Sequence, residues 1–143
     1  MPAIMADHDI EGQVRVLLRL LTSAAWSEVW HELAVRVESF ASLGLPENTS
    51  DAVLWQFCEM WQIILITGNR NRAGPEALEA VIARNNTPTS LPVLTIGTPP
   101  RVLSSREYAE SVATRLLEVL LDVEQYRGDW TPLSSLTERK PRT

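Results

Sequence analysis

The stretch "IILITGNRNRAGPEALEAV", residues 63–81, decides the fold because a strand, a polar turn and a helix follow one another in it. Ile63 to Thr67 form a short unbroken apolar run, which is typical of a central parallel strand covered by helices on both faces. Pro75 suits the first position of a helix that continues through Leu78 and Val81. The polar residues between this strand and this helix, 68–74, then lie at the carboxyl end of a buried strand.

The rest of the chain repeats this alternation of apolar runs and helical periodicity. Before this stretch the sequence predicts a strand at residues 3–6, a helix with Val14, Leu17, Leu18 and Leu21 on one face, and a half-buried strand with Leu33, Val35 and Val37. A second helix follows, capped by Ser50, with Val53, Leu54, Phe57 and Trp61 on one face. After the stretch come a last strand at 91–97, which Pro92 assigns to an edge, and a long helix that begins with a capping box of Ser104 and Glu107. Strands that alternate with helices predict an α/β fold, a parallel sheet sandwiched between helices in three αβα layers.

Composition limits both the organisation and the class of function. A chain of 143 residues suits one domain, predicted over residues 1–133, with a polar C-terminal tail at 134–143. The net charge of −5 argues against binding nucleic acid by general attraction. The single cysteine, Cys58, excludes an internal disulfide and is predicted to be a small core residue. No apolar run reaches the ~18 residues of a membrane span, so we predict a cytoplasmic protein without membrane contact.

Polar side chains follow the first and third predicted strands, where the carboxyl ends of a parallel sheet form a crevice for ligands. Asp7 and Asp9 follow the first strand, Asn69 and Asn71 follow the third, and Asp51 opens the helix between the second and third. Carboxylate and amide oxygens are the ligands that Mg²⁺ or Mn²⁺ prefers. These residues predict a divalent-metal site, and a bound ion of this kind can activate water at a phosphate.

Arg70 and Arg72 lie between and beside the two asparagines, where they could bind the phosphate of a substrate. Structural explanations compete with this one: Asp9 can cap the first helix, Asp51 can complement the dipole of its own helix, and asparagines are common in turns. A zinc site is not expected, because the chain has only two histidines and one cysteine.

The segment "SLGLPENTSDAVLWQFCEMWQIILITGNRN", residues 42–71, resembles the PIN-like proteins of bacteria, small domains related to PIN nucleases and to the toxin ribonucleases of toxin–antitoxin pairs. Asp7 matches the acid after the family's first strand, and Ser50-Asp51 matches the pair that opens a helix. Asn69 and Asn71 stand where the family has two aspartates. The resemblance implies a PIN-like fold whose acidic site has lost part of its charge.

The resemblance implies a metal-dependent ribonuclease in which Asp7, Asp9 and Asp51 are catalytic and hold Mg²⁺ or Mn²⁺, with RNA as substrate and an antitoxin-like protein as partner. One alternative is a non-catalytic module on the same scaffold, which binds RNA or a protein through the crevice and through the arginines 70, 72 and 101. A further alternative is a subunit that forms a homodimer through a helical face that carries tryptophan. The residues alone leave these alternatives open.

Overall fold

The computed structural model describes residues 2–68 and 78–133. Within them the strands are β1 (Ala3–Ala6), β2 (Val37–Glu38), β3 (Ile63–Gly68), β4 (Val93–Ile96) and β5 (Trp130–Pro132). The helices are α1 (Glu11–Leu21), α2 (Ser27–Leu33), α3 (Phe40–Leu43), α4 (Asp51–Met60), α5 (Leu78–Asn85), α6 (Pro99–Ser104) and α7 (Arg106–Leu121), with short 3-10 turns at His8–Ile10 and Val123–Tyr126. None of these helices is long and apolar enough to cross a membrane.

The five strands form one sheet in the order β2-β1-β3-β4-β5, and every neighbouring pair is parallel. All six residues of β3 are buried, and the strand lies in the middle of the sheet. This confirms the predicted α/β class and the central position of residues 63–67. An unbroken apolar strand is stable there because helices keep water from both of its faces.

Successive side chains of each strand point to opposite faces of the sheet, so the chain builds two cores. The first face carries Ile4, Ile64, Ile66, Leu94 and Ile96, and it packs against α1, α2, α6 and α7. The second face carries Ala3, Met5, Ile63, Leu65 and Val93, and it packs against α3, α4 and α5. The observed architecture is therefore three layers, with helices on both sides of the sheet.

The edge strands of the sheet are β2 and β5, and β4 lies inside it, so the inference from Pro92 was wrong. Pro92 lies just before β4, so the N–H that a proline lacks is not needed for pairing between strands. β5 was not predicted, and it pairs with the outer side of β4: Val93 N donates to Asp129 O at 3.2 Å, and Leu133 N donates to the Thr95 carbonyl at 2.6 Å. The edge proline is Pro132, which lies in β5 itself.

The second strand is shorter than predicted. Leu33 ends α2, Ala34 adopts a left-handed backbone with φ 51°, and only Val37–Glu38 pairs with β1. The alternation of Leu33, Val35 and Val37 therefore reflects a helix end followed by an extended segment.

The long helix α7 begins one residue later than predicted. Ser105 is its N-cap, and the Ser105 hydroxyl accepts from Tyr108 N at 3.1 Å, whereas Ser104 ends α6. The capping box of Ser104 and Glu107 was therefore wrong, although a serine cap was right.

The apolar face predicted for α4 was also wrong in part. Leu54 is buried, but Val53 and Trp61 are 52% and 59% exposed, and the inner side of the helix is completed by Trp55 and Cys58. Cys58 is 1% exposed, which confirms that it is a small core residue.

Candidate functional site at the carboxyl ends of β1 and β3

The sheet reverses its order of strand addition between β1 and β3. From β1 the chain crosses to β2 on one side, and it then returns to β3 on the other side of β1. In an open parallel sheet the connections diverge at this point and leave a crevice beyond the carboxyl ends of the two strands. Asp7 follows β1 directly, and Thr67 and Gly68 end β3, so these residues lie at the crevice.

Asp7 is fully buried at this position, with 0% of its surface exposed. Its Oδ1 accepts from His8 N at 2.8 Å, and its Oδ2 accepts from the Thr67 hydroxyl at 3.3 Å. Its own N donates to the Ile66 carbonyl at 2.8 Å, which extends the pairing of β1 with β3 by one residue. A carboxylate out of water needs such donors, and these contacts fix it between the two strand ends.

His8 lies at the mouth of the crevice and contacts the buried carboxylate. Its Nδ1 is 3.0 Å from Asp7 Oδ1, its side chain is 42% exposed, and its ring meets the Phe40 ring edge-on at 6.0 Å. An imidazole that touches both a buried acid and solvent can give or take a proton at a bound ligand. Sequence reasoning assigned His8 no role and used the two histidines only to argue against a zinc site, although its place between two aspartates at a strand end was the signal for this position.

Asp51 reaches the same edge of the sheet from the second face. It is the first residue of α4, and the predicted cap is confirmed, because the Ser50 hydroxyl accepts from Val53 N at 3.3 Å. α4 runs back toward the start of β3, so its first turn lies at the carboxyl edge. By the alternation of β1, Asp7 points to the second face as well. The fold thus places both aspartates on one face at one edge.

Cys58 is a buried thiol of the second-face core. Burial, together with the negative charges of Glu59 and Asp7, raises the pKa of Cys58 to about 12. A thiol with this pKa stays protonated and does not act as a nucleophile at neutral pH.

Gly68 allows the elements around the crevice to approach one another closely. A Cβ at this position would lie 3.1 Å from Ile10 Cγ2 and 3.2 Å from Pro99 Cγ, both of which are side-chain atoms of neighbouring segments. A larger residue at the end of β3 would push away either the turn after Asp7 or the start of α6. The glycine therefore holds the crevice narrow on the first face.

The remaining predicted site residues are not brought together by the described part of the chain. Asp9 is exposed on the turn that follows Asp7. Asn69, Arg70, Asn71 and Arg72 lie outside the described residues, as do the predicted start of the next helix at Pro75 and the tail at 134–143. Within residues 2–68 and 78–133, no three His, Cys, Asp or Glu side chains are grouped so that they could hold a metal ion.

No family model matches this chain, and comparisons with curated proteins and with solved structures also find no match.

Proposed function

We propose that the chain is a PIN-like ribonuclease that depends on a divalent metal and acts at the crevice between β1 and β3. The observation that supports this proposal is the buried carboxylate of Asp7 at the point where the sheet reverses its order. A carboxylate is costly to bury, and a fold keeps one at a ligand crevice more readily when it binds something there. The resemblance of residues 42–71 to PIN-like proteins is the second support.

The donor atoms at this edge fit Mg²⁺ or Mn²⁺ in chemical type. Asp7 and Asp51 would supply anionic oxygens from one face, and Asn69 and Asn71 would add neutral amide oxygens. When bound, the ion would activate water and neutralise the phosphate that is attacked. Arg70 and Arg72 would bind the other phosphate oxygens, Asp9 would add charge from the exposed turn, and His8 would exchange a proton with the leaving group.

The neutral amides make this a weak site. Each replacement of an aspartate by asparagine removes one negative charge from the ligands of a divalent ion, which lowers the affinity for the ion. We therefore propose activity that needs a high concentration of Mn²⁺ and that rises slowly with Mg²⁺.

A second candidate is a non-catalytic module that binds RNA or an antitoxin-like protein in the same crevice. The hydrogen bonds of Asp7 favour it, because His8 N and the Thr67 hydroxyl donate to the two carboxylate oxygens, as they would if Asp7 had a purely structural role. Arg101 would contribute from α6, where its guanidinium lies 4.5 Å from the centre of the Tyr108 ring.

Cleavage assays on single-stranded and structured RNA with Mg²⁺, Mn²⁺ or a chelator test the proposal on three proteins. These are the parent, Asp7→Asn, which keeps the shape of the side chain and one of its two acceptor oxygens but removes the charge, and Asp129→Asn, an exposed control beside β5. We expect cleavage by the parent and the control, and a loss of about 100-fold or more in Asp7→Asn, in line with the removal of a catalytic group. RNA binding without cleavage in any metal would favour the second candidate, and cleavage that persists in chelator would contradict the first.

A further inference from the structure

A cavity of about 180 Å³ lies at the β5 edge of the sheet, beside α7. We call it the β5 cavity: it is lined by Arg115 of α7, by Tyr126 of the 3-10 turn that follows this helix, and by residues 129–132, which include β5. β4 separates β5 from β3, so the cavity lies apart from the crevice between β1 and β3. It is therefore a second concave surface of the protein.

The guanidinium of Arg115 supplies the positive charge of the β5 cavity. Its side chain is only 11% exposed, and its Nη1 donates to the Tyr126 hydroxyl at 3.0 Å. Among the described residues its one ion pair is with Glu118, at 3.9 Å, and Glu118 is half-exposed. In the same part of the chain, Nε and Nη2 have no hydrogen-bond acceptor. A guanidinium largely removed from water, with donors unused, favours a bound anion.

Two uncharged donors also line the β5 cavity. The backbones of Asp129 and Leu133 bond to β4, so the N–H of Trp130 points outward from the edge of the sheet. Thr131 is paired with Leu94, a first-face residue, so its side chain points to the face on which α7 packs. The Thr131 hydroxyl is buried and has no hydrogen-bond partner. A buried hydroxyl is costly without a partner, and an acceptor oxygen in the cavity would supply one.

We propose that the β5 cavity binds a small organic molecule through one carboxylate group. Arg115, the Tyr126 hydroxyl, the Trp130 N–H and the Thr131 hydroxyl can all donate to it, and a carboxylate has room for about four such hydrogen bonds on its two oxygens. The planar fork of a guanidinium matches the spacing of those oxygens. The donors of the cavity thus fit a carboxylate in number and in geometry.

The charges around the cavity favour a single negative charge over a double one. Arg115 carries one positive charge, and the carboxylates of Glu118 and Asp129 lie close by. Asp129 is exposed at the rim and forms no ion pair with Arg115 among the described residues. A dianion such as phosphate would meet two negative groups with only one positive group to balance it, whereas a carboxylate brings one charge.

The volume of the cavity limits the ligand to a small molecule. An apolar cavity of ~150 Å³ in another protein holds benzene, so about 180 Å³ accommodates roughly six to ten non-hydrogen atoms. Sites for larger ligands begin at ~300 Å³, so a nucleotide is too large. Aromatic or short-chain monocarboxylates have the right size. This inference does not depend on the proposed function.

Calorimetric titration of the full chain at neutral pH tests the ligand class with three probes: benzoate, benzamide and inorganic phosphate. Benzamide has the shape of benzoate without its charge. We expect benzoate to bind with a dissociation constant on the order of 1 mM, and the other two probes to bind at least 10-fold more weakly. Benzamide that binds as tightly as benzoate, phosphate that binds more tightly, or no benzoate binding up to about 50 mM would overturn the proposal.

Variants test the assigned residues. Arg115→Gln should weaken benzoate binding by about 10-fold or more, because it removes the charged donor. Arg106→Gln is the matched control: Arg106 belongs to the same helix, but its side chain is 77% exposed and pairs with Glu110. An equal loss in both variants would mean that benzoate responds only to the overall charge of the helix, which contradicts a specific site.

Thr131→Val tests the site without removing a charge. The substitution keeps the shape of the side chain and removes a hydroxyl that has no partner, so the melting temperature should stay the same or rise. Benzoate binding should nevertheless weaken by about 3-fold or more, since one hydrogen bond to the ligand is lost. An unchanged dissociation constant in Thr131→Val, with the fold intact, would overturn the assignment of the cavity as the site.

Discussion

Helices α7 and α4 pack on opposite faces of the same sheet and use their apolar residues differently. In α7, eight of sixteen residues are buried: Tyr108, Ala109, Val112, Ala113, Leu116, Leu117, Val119 and Leu120. In α4 only three of ten are buried, while Val53, Met60 and Trp61 remain exposed. α7 is a structural element whose outer side is polar, whereas α4 carries apolar side chains on both sides and Asp51 at its start. The face with the weaker packing is thus the face that holds the candidate site.

The largest expected effect compares one substitution on the two faces. Leu116→Ala and Leu54→Ala both remove a leucine that is at most 1% exposed. Such cavities cost ~2–5 kcal/mol of unfolding free energy, and less where neighbours can collapse into the space. We expect Leu116→Ala near the upper end, because α1 and α6 also pack against α7, and Leu54→Ala near the lower end. Urea unfolding measures both, and a larger loss in Leu54→Ala would reverse the comparison.

A smaller effect is expected from the aromatic residues of the two helices. The buried Tyr108 hydroxyl accepts from Thr98 N at 3.0 Å, so Tyr108→Phe leaves that N–H without its partner and should cost ~1–3 kcal/mol. Trp61→Ala removes a larger side chain but one that is 59% exposed, and it should change the stability of the monomer by less than ~0.5 kcal/mol. Thermal and urea unfolding of dilute protein measure both changes. A loss in Trp61→Ala that equals the loss in Tyr108→Phe would mean that Trp61 belongs to the core.

The smallest effect is a pH dependence that comes from α4. Burial raises the pKa of Glu59 above its ordinary value of 4.5, and hydrogen bonds from Leu91 and Ser90 and the charge of Arg127 lower it only in part. The folded state then holds the proton more tightly than the unfolded chain, so stability falls as pH rises from 4.5 through the folded pKa, and the loss is complete above it.

Glu59→Gln keeps an oxygen acceptor for Leu91 N and cannot ionise. We therefore expect the variant to gain stability relative to the parent as pH rises through this window, and the difference to be constant above it. Melting temperatures of both proteins at closely spaced pH values measure the gain. A difference that does not vary with pH would show that Glu59 has no excess affinity for its proton.

The sequence predicted the elements that carry strong local signals. The apolar runs of β1, β3 and β4 identify buried strands, and the serine before α4 identifies a helix start. β5 has three residues without periodicity and is a strand only because β4 offers its outer edge, so no local pattern could show it. The prediction of which α4 residues face the sheet was wrong in part for a related reason. When a helix is apolar on two sides, the spacing of its apolar residues does not indicate which side is buried.

The candidate site could be predicted in position more than in detail. A polar residue directly after an apolar strand, such as Asp7, lies at the carboxyl edge of a parallel sheet whatever the strand order. The contact between Asp7 and Thr67 depends on the pairing of β1 with β3, which joins residues 60 positions apart in sequence. The position of the His8 ring beside Asp7 Oδ1 depends on the conformation of the 3-10 turn. The first contact is tertiary and the second depends on the exact geometry of a local turn, so composition and spacing contain neither.

Pro132 has a consequence for how this sheet behaves in a concentrated solution. The backbone groups of residues 129 and 133 bond to β4, so those of Trp130 and Pro132 point outward from the edge. A strand from another molecule would need alternating donors and acceptors along that edge, and because Pro132 has no N–H, Trp130 is the only residue of β5 that presents an N–H on the outward side. β5 can therefore end the sheet without serving as a template for fibre growth.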